Sequence, residues 1–243
     1  MTSIFHAIIS KPLYNGLIFL TNTLPFFDAG VIIIIFTIII KLILLPLSIK
    51  ASKAQIEMKS IEKDLNLIKE KYKDDKGEQS KKTMEYYKEK GINPFASFFI
   101  LLIQLPILIG LYRIFLKSGL PEINKALLYS FVAVPTVAVN MVFLNYINIT
   151  EKSLILAIIA GITTYFQVSI STSGAKKAEG TGASNDIAKA MTAQMKYFFP
   201  ILMTFIAYTI SSAIALYLIT SNMFAIAQEI YIKKKYHKNV SVI

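Results

Sequence analysis

Blocks of apolar residues long enough to cross a bilayer recur along this chain, and they limit its fold more than any other feature. A helix crossing the ~30 Å hydrocarbon core needs roughly 20 predominantly apolar residues, and several windows reach that length. Of the 243 residues, 54% are hydrophobic, and the mean hydropathy is +0.54. Length alone suggests one or two soluble domains. The apolar blocks argue instead for a single all-α integral membrane unit.

The order of blocks gives a topology. Residues 1–28 read as an amphipathic interfacial segment, because Met1 to Phe27 lacks a basic start and a small-residue cleavage site. The first expected span is 29–49, with Lys41 as its one internal charge and Pro46 near its end. Residues 50–94 hold 12 Lys and 9 Asp or Glu and read as a helical hairpin outside the membrane. Met58, Ile61, Leu65, Ile68 and Tyr72 follow a 3, 4, 3, 4 spacing that lines one face of a helix. Asp74-Asp75-Lys76-Gly77 signals the turn, and Gly91 and Pro94 stop the second arm.

A second span is expected at 95–116. Residues 117–152 contain an apolar stretch, 127–147, that is broken by Pro135, Asn140 and Asn145. If it crossed, the charged hairpin and the tail of 233–243, with Lys233, Lys234, Lys235 and Lys238, would lie on opposite sides. The bias of Lys and Arg toward the cytoplasmic side favours an extracytoplasmic interfacial segment instead. A third span follows at 153–170, then a polar cytoplasmic loop at 171–196. From Tyr197 to Ile232 a single helix would be about 54 Å long, too long for one crossing. Ser211-Ser212 divides it into spans at 197–210 and 213–232. The expected total is five, with the C-terminus cytoplasmic.

The charge of +11 has a generic reading in nucleic-acid binding. Lysines crowded beside apolar spans fit cytoplasmic retention better, so no direct nucleic-acid partner is expected. The absence of Cys excludes disulfides, Cys-ligated metals and a lipoprotein anchor. The two histidines, His6 and His237, lie at opposite ends, and no HExxH, GxSxG or P-loop pattern occurs. The chain is therefore expected to be no enzyme and to need no cofactor.

Lys41 is the sharpest single feature. A Lys at the centre of a span costs about 2.5–3.5 kcal/mol on insertion scales and needs water, a partner or an escape route. Thr37 and Ser48 fall within about 40° of it around the helix, forming a polar stripe. Two readings stand: a hydrated functional cavity, or snorkelling toward Lys50, about 13 Å along the axis. Gln104 in the second span, Thr163, Thr164 and Gln167 in the third, and Tyr217, Ser221, Asn222 and Gln228 in the last add uncharged polar groups. Singly, such groups are usually inter-helix hydrogen-bonding glue; several facing Lys41 would make a wet, positive groove.

Several long runs resemble the YidC family of membrane protein insertases. They are IIIIFTIIIKLILLPLSIKASKAQIEMKS at 32–60, EKYKDD at 70–75, MEYYKEKGINPFASFFILLIQLPILIGLY at 84–112, ILAIIAGITTYFQ at 155–167 and FFPILMTFIAYTISSAIALYLITSNMFAIAQ at 198–228. The spacing GxNPxxxxxxxxxQxPI from Gly91 to Ile107 is more specific than any apolar window. The resemblance implies a five-helix insertase core with a cytoplasmic hairpin and a groove open to cytoplasm and lipid. A cation of the first core span sits in that groove; the family usually has Arg where this chain has Lys41. Thr37, Gln104, Tyr217, Asn222 and Gln228 match polar positions of the pattern, whereas Leu218 stands where an aromatic is common. Nascent membrane proteins are the implied partners, with the ribosome and the Sec translocon as further candidates, in the cell membrane of a bacterium. A small-solute transporter would call for paired ionisable groups or an internal repeat, neither of which is seen. A non-catalytic assembly subunit of a membrane complex is the other rival.

Overall fold

A computed structural model describes residues 5–93, 96–114, 122–172 and 194–240. Of the expected polar loop at 171–196, residues 173–193 with Lys176, Lys177 and Lys189 fall outside them. The described chain is mainly helical. A π-turn, His6–Ser10, leads into α1 (Lys11–Thr23), followed by α2 (Ala29–Ser60), α3 (Glu62–Lys71), α4 (Lys76–Glu89) and α5 (Ala96–Arg113). A 3-10 turn at Lys125–Leu127 and a two-stranded antiparallel hairpin, β1 (Val142–Phe143) and β2 (Ile147–Asn148), precede α6 (Leu154–Thr172). A second π-turn, Gln194–Phe198, opens α7 (Phe199–Ile210), and α8 (Ser212–Val240) is the last described element. Three helices among the described residues are long and apolar enough to cross a membrane: Ala29–Met58, Leu154–Ser171 and Ser212–Lys235.

The chain divides into two compact units, residues 1–43 with 105–231 and residues 44–104 with 232–243. In the first unit, one apolar cluster joins Tyr14 and Leu17 of α1, Ile32 and Phe36 of α2, Leu111 of α5, Ala160 of α6, Met203 of α7 and Ile214 of α8. Its small residues set how near the backbones come. A Cβ at Gly161 of α6 would collide with Thr204 Oγ1 and lie 3.4 Å from the Pro200 carbonyl of α7, so glycine allows that close approach.

Residues 122–153 contain no α-helix, and their backbone is used to hold helix ends. Asn140 O accepts from Ala29 N at 2.8 Å, Glu151 O from Ser212 N at 2.7 Å, and Ile149 O from Ala213 N at 2.9 Å. Asp28 caps α2, its Oδ1 accepting from Val31 N at 2.9 Å and its Oδ2 from Leu144 N at 3.2 Å. The side chain of Asn15 in α1 reads both directions of the same segment, donating to Leu127 O at 2.9 Å and accepting from Tyr129 N at 2.6 Å. Phe143 closes over Gly30, where a Cβ would collide with the ring at Cδ2 and lie 2.6 Å from its Cγ.

In the second unit, α3 and α4 form a helical hairpin. Asp75 Oδ1 caps α4 at Glu78 N, 2.9 Å away, and Gly91 at φ +66° ends it. Ile92 N returns to Tyr87 O at 3.0 Å, the six-to-one bond of a Schellman cap. Gln79 Nε2 donates to Lys69 O at 2.6 Å, and the Tyr86 hydroxyl donates to Asp64.

Two expectations about this region change. The helix of the first expected span does not stop at Ile49 but runs to Ser60, because Lys50 to Met58 supplies strong helix formers without a Gly or a further Pro. The stripe of Met58, Ile61, Leu65, Ile68 and Tyr72 therefore does not lie on one helix: Met58 belongs to α2, and the chain breaks at Ile61, with φ −96° and ψ 5°. Ile61 and Leu65 are buried, while Met58, Ile68 and Tyr72 are half-buried. The stripe packs the hairpin more than it forms an exposed surface.

Gly161→Leu should destabilise the protein by about 1–3 kcal/mol through overpacking between α6 and α7. Ile162→Leu on the exposed side should stay within about 0.5 kcal/mol. Thermal unfolding in detergent distinguishes the two; equal midpoints would mean that α6 and α7 do not pack closely.

Candidate functional site

The polar residues of the first unit fall into two groups by where their hydrogen bonds go. On α2, Thr37 is buried, and its hydroxyl donates to Ile33 O at 2.7 Å. That bond spends the only hydroxyl proton on its own helix. One turn further, Lys41 is half-buried, with Leu42 and Ile43 beside it exposed. A cation held at the edge of an apolar surface is costly unless water or acceptors reach it.

The second group joins α6 to α8. Asn222 Nδ2 donates to Thr164 Oγ1 at 2.8 Å and to Thr163 Oγ1 at 3.2 Å. Both threonines give their own protons to backbone carbonyls of α6, Thr164 to Ala160 O at 2.7 Å and Thr163 to Ile159 O or Ala160 O, each at 3.0 Å. Their oxygens are thus left as acceptors, which is what an amide N–H₂ requires. Tyr217 and Ser221, one turn apart on α8, are buried at 1% and 3% exposure. Tyr217 sits within the apolar cluster. Gln167 and Gln228 are half-buried. Glu229, beside Gln228, is buried at 8% exposure, a carboxylate for which no role was expected.

The expected site residues therefore do not behave alike. Asn222 is a bridge between helices, Thr37 is closed on its own helix, and Tyr217 and Ser221 are interior. Lys41, Gln167 and Gln228 keep partial exposure. The side chain of Gln104 lies outside the described residues. Thr163 and Thr164 were legible as polar but not as the acceptors of Asn222; the signal was their adjacency opposite a span carrying an Asn. Asn15, Asp28 and Glu151, which organise the helix ends, were missed, since no motif marks them. Among the described residues no three His, Asp or Glu side chains converge as metal ligands.

Residues 19–239 match the family model described as the 60Kd inner membrane protein. The membrane protein insertase YidC of Fusobacterium nucleatum is 34% identical over 221 residues, which is 90% of this chain and 94% of that protein. The chain belongs to the YidC family. The YidC of Clostridium tetani is 32% identical over 218 residues, 89% of this chain and 87% of its own length. The longer YidC of Francisella tularensis subsp. novicida is 29% identical over 207 residues, which is 85% of this chain but 33% of that protein. With the Fusobacterium and Clostridium relatives the match runs through nearly the whole of both partners. The three apolar helices agree with a membrane protein of that family.

The Asn222 bridge has a measurable size. Asn222→Ala and Thr163→Val/Thr164→Val should couple by about 0.6 kcal/mol, and by no more than about 1.7, in a double-mutant cycle on unfolding in detergent. Strict additivity would show that the amide does not hold α6 to α8.

Proposed function

We propose that this chain is a membrane protein insertase, which places nascent membrane proteins in the bacterial cell membrane without hydrolysing ATP. The observation that carries the reading is Lys41, a half-buried cation and the one charge from Ala29 to Ile49, in a chain of the YidC family. In this reading α2, α5, α6, α7 and α8 are five spans. Lys41 with Gln167 and Gln228 faces a hydrated groove open to the cytoplasm and the lipid.

Positive-inside charge puts the α3–α4 hairpin and the C-terminal lysines on the cytoplasmic side. There the hairpin meets a nascent chain; the ribosome and the Sec translocon are candidate partners. A short polar segment of the client enters the groove, where water and Lys41 lower its desolvation cost. An acidic segment gains most. The client's apolar helix then leaves into lipid, and burial at ~25 cal/mol per Å² drives the step.

Lys rather than Arg at this position keeps the charge but gives up the planar fork that pairs two carboxylate oxygens at once. The groove is then a charge-selective rather than a geometry-selective binder. Lys41→Ala should lower insertion of an acidic-tailed client several-fold and change a neutral-tailed client less, while Lys41→Arg retains activity. Protease protection in proteoliposomes reads this out. Unchanged insertion of the acidic client by Lys41→Ala would remove the electrostatic part of the mechanism.

A further inference from the structure

A second polar assembly, away from the spans' own polar residues, lies where the first π-turn, α1 and the end of α5 meet. His6, Ser10, Lys11, Tyr14 and Arg113 line a cavity of about 230 Å³. That is smaller than the roughly 300–1,000 Å³ of sites for drug-sized ligands. In the π-turn, Lys11 N closes onto His6 O, and such turns are frequent at functional sites. His6, Ser10 and Tyr14 recur at intervals of four residues, on one side of the helix. Gly110 lets α5 come close: a Cβ there would lie 2.8 Å from Leu13 Cδ1 and 3.3 Å from Ile9 Cγ2. The last turn of α5 thereby brings Arg113 to the cavity.

The lining supplies donors and positive charge. Lys11 Nζ lies 5.1 Å from the centre of the Tyr129 ring, and Arg113 Cζ lies 5.1 Å from that of Phe5. Aromatic faces steady a cation without neutralising it. The ion pairs among the described residues are those of Lys82 with Glu78 and Glu85, so neither Lys11 nor Arg113 is matched by a carboxylate there. The Ser10 hydroxyl is buried and has no hydrogen-bond partner among the described residues. The Tyr14 hydroxyl accepts from Asn124 N at 2.8 Å. Burial raises the Tyr14 pKa, against the lowering effect of that N–H, so the phenol keeps its proton to donate.

Two cations, an imidazole and two hydroxyls without an acid are the complement of a phosphate group. Ile8, on the same π-turn, is 68% exposed, and Phe19 on α1 is 52% exposed, an apolar surface suited to acyl chains. We infer that this cavity binds the phosphate of an anionic phospholipid headgroup, with Lys11 and Arg113 as its principal contacts. The inference rests on reading α5 as a span, which sets Arg113 at the bilayer surface, and it adds a lipid partner to that reading.

The test uses the full chain purified from membranes in mild detergent and titrated with phosphatidylglycerol, with bound lipid counted by native mass spectrometry. Wild-type protein should retain one phosphatidylglycerol, and Lys11→Gln/Arg113→Gln should bind it at least tenfold more weakly. Lys11→Arg/Arg113→Lys, which keeps both charges, should retain it, separating charge from folding. Phosphatidylcholine at equal concentration should displace little of it. Equal retention by wild type and the Gln variant would overturn the site. Displacement by millimolar inorganic phosphate would overturn the lipid assignment in favour of a soluble anion. Client insertion measured on the same preparations reads the insertase separately: lost lipid retention with insertion intact leaves that function standing.

Discussion

The first turns of α2 and α8 are held by the backbone of one irregular segment, and the placement of the polar residues follows from that. Every helix begins with N–H groups that lack an intrahelical acceptor, and in or near a bilayer water cannot be relied on to satisfy them. Here Asn140, Ile149 and Glu151 supply the carbonyls for Ala29, Ala213 and Ser212. Two helix starts are thereby fixed against one segment. At 1.5 Å per residue, Lys41 lies about 18 Å from the tied start of α2, and Asn222 lies about 15 Å from that of α8. Both distances reach about the middle of a ~30 Å hydrocarbon core.

Within that frame, polar residues do two different things. Asn222 donates to Thr163 and Thr164 and so holds α6 to α8. That bridge fixes α6 against α8, whereas Lys41 stands on α2, half-buried and outside it.

Much of this architecture was legible in the sequence, because spanning helices announce themselves by length and composition. The break at Ser211 between α7 and α8 and the hairpin turn before Lys76 coincide with residues that composition singled out. The continuation of α2 past Ile49 was not legible, since a change from apolar to charged residues alters the solvent of a helix without ending it. The 3, 4 spacing of Met58 to Tyr72 concealed a break at Ile61 for a related reason: periodicity continues across a one-residue interruption that carries no Gly or Pro. Least legible was the role of residues 122–153. Their bonds to helix ends are made by backbone carbonyls, which no side-chain pattern encodes, and Asp28 and Asn15 look like ordinary polar residues until their distant partners are seen. Of the candidate site, the sequence identified which residues are polar within apolar helices; the hydrogen-bond partners showed that Asn222 bridges two helices and Thr37 closes on its own.

The most direct test is insertion of a small single-span client by the purified protein alone, in liposomes without ATP, read by protease protection. Insertion well above that of empty liposomes is the predicted result. Insertion equal to empty liposomes, from protein whose helicity and unfolding transition show it to be folded, would contradict an autonomous insertase and point to a subunit that acts only with a partner.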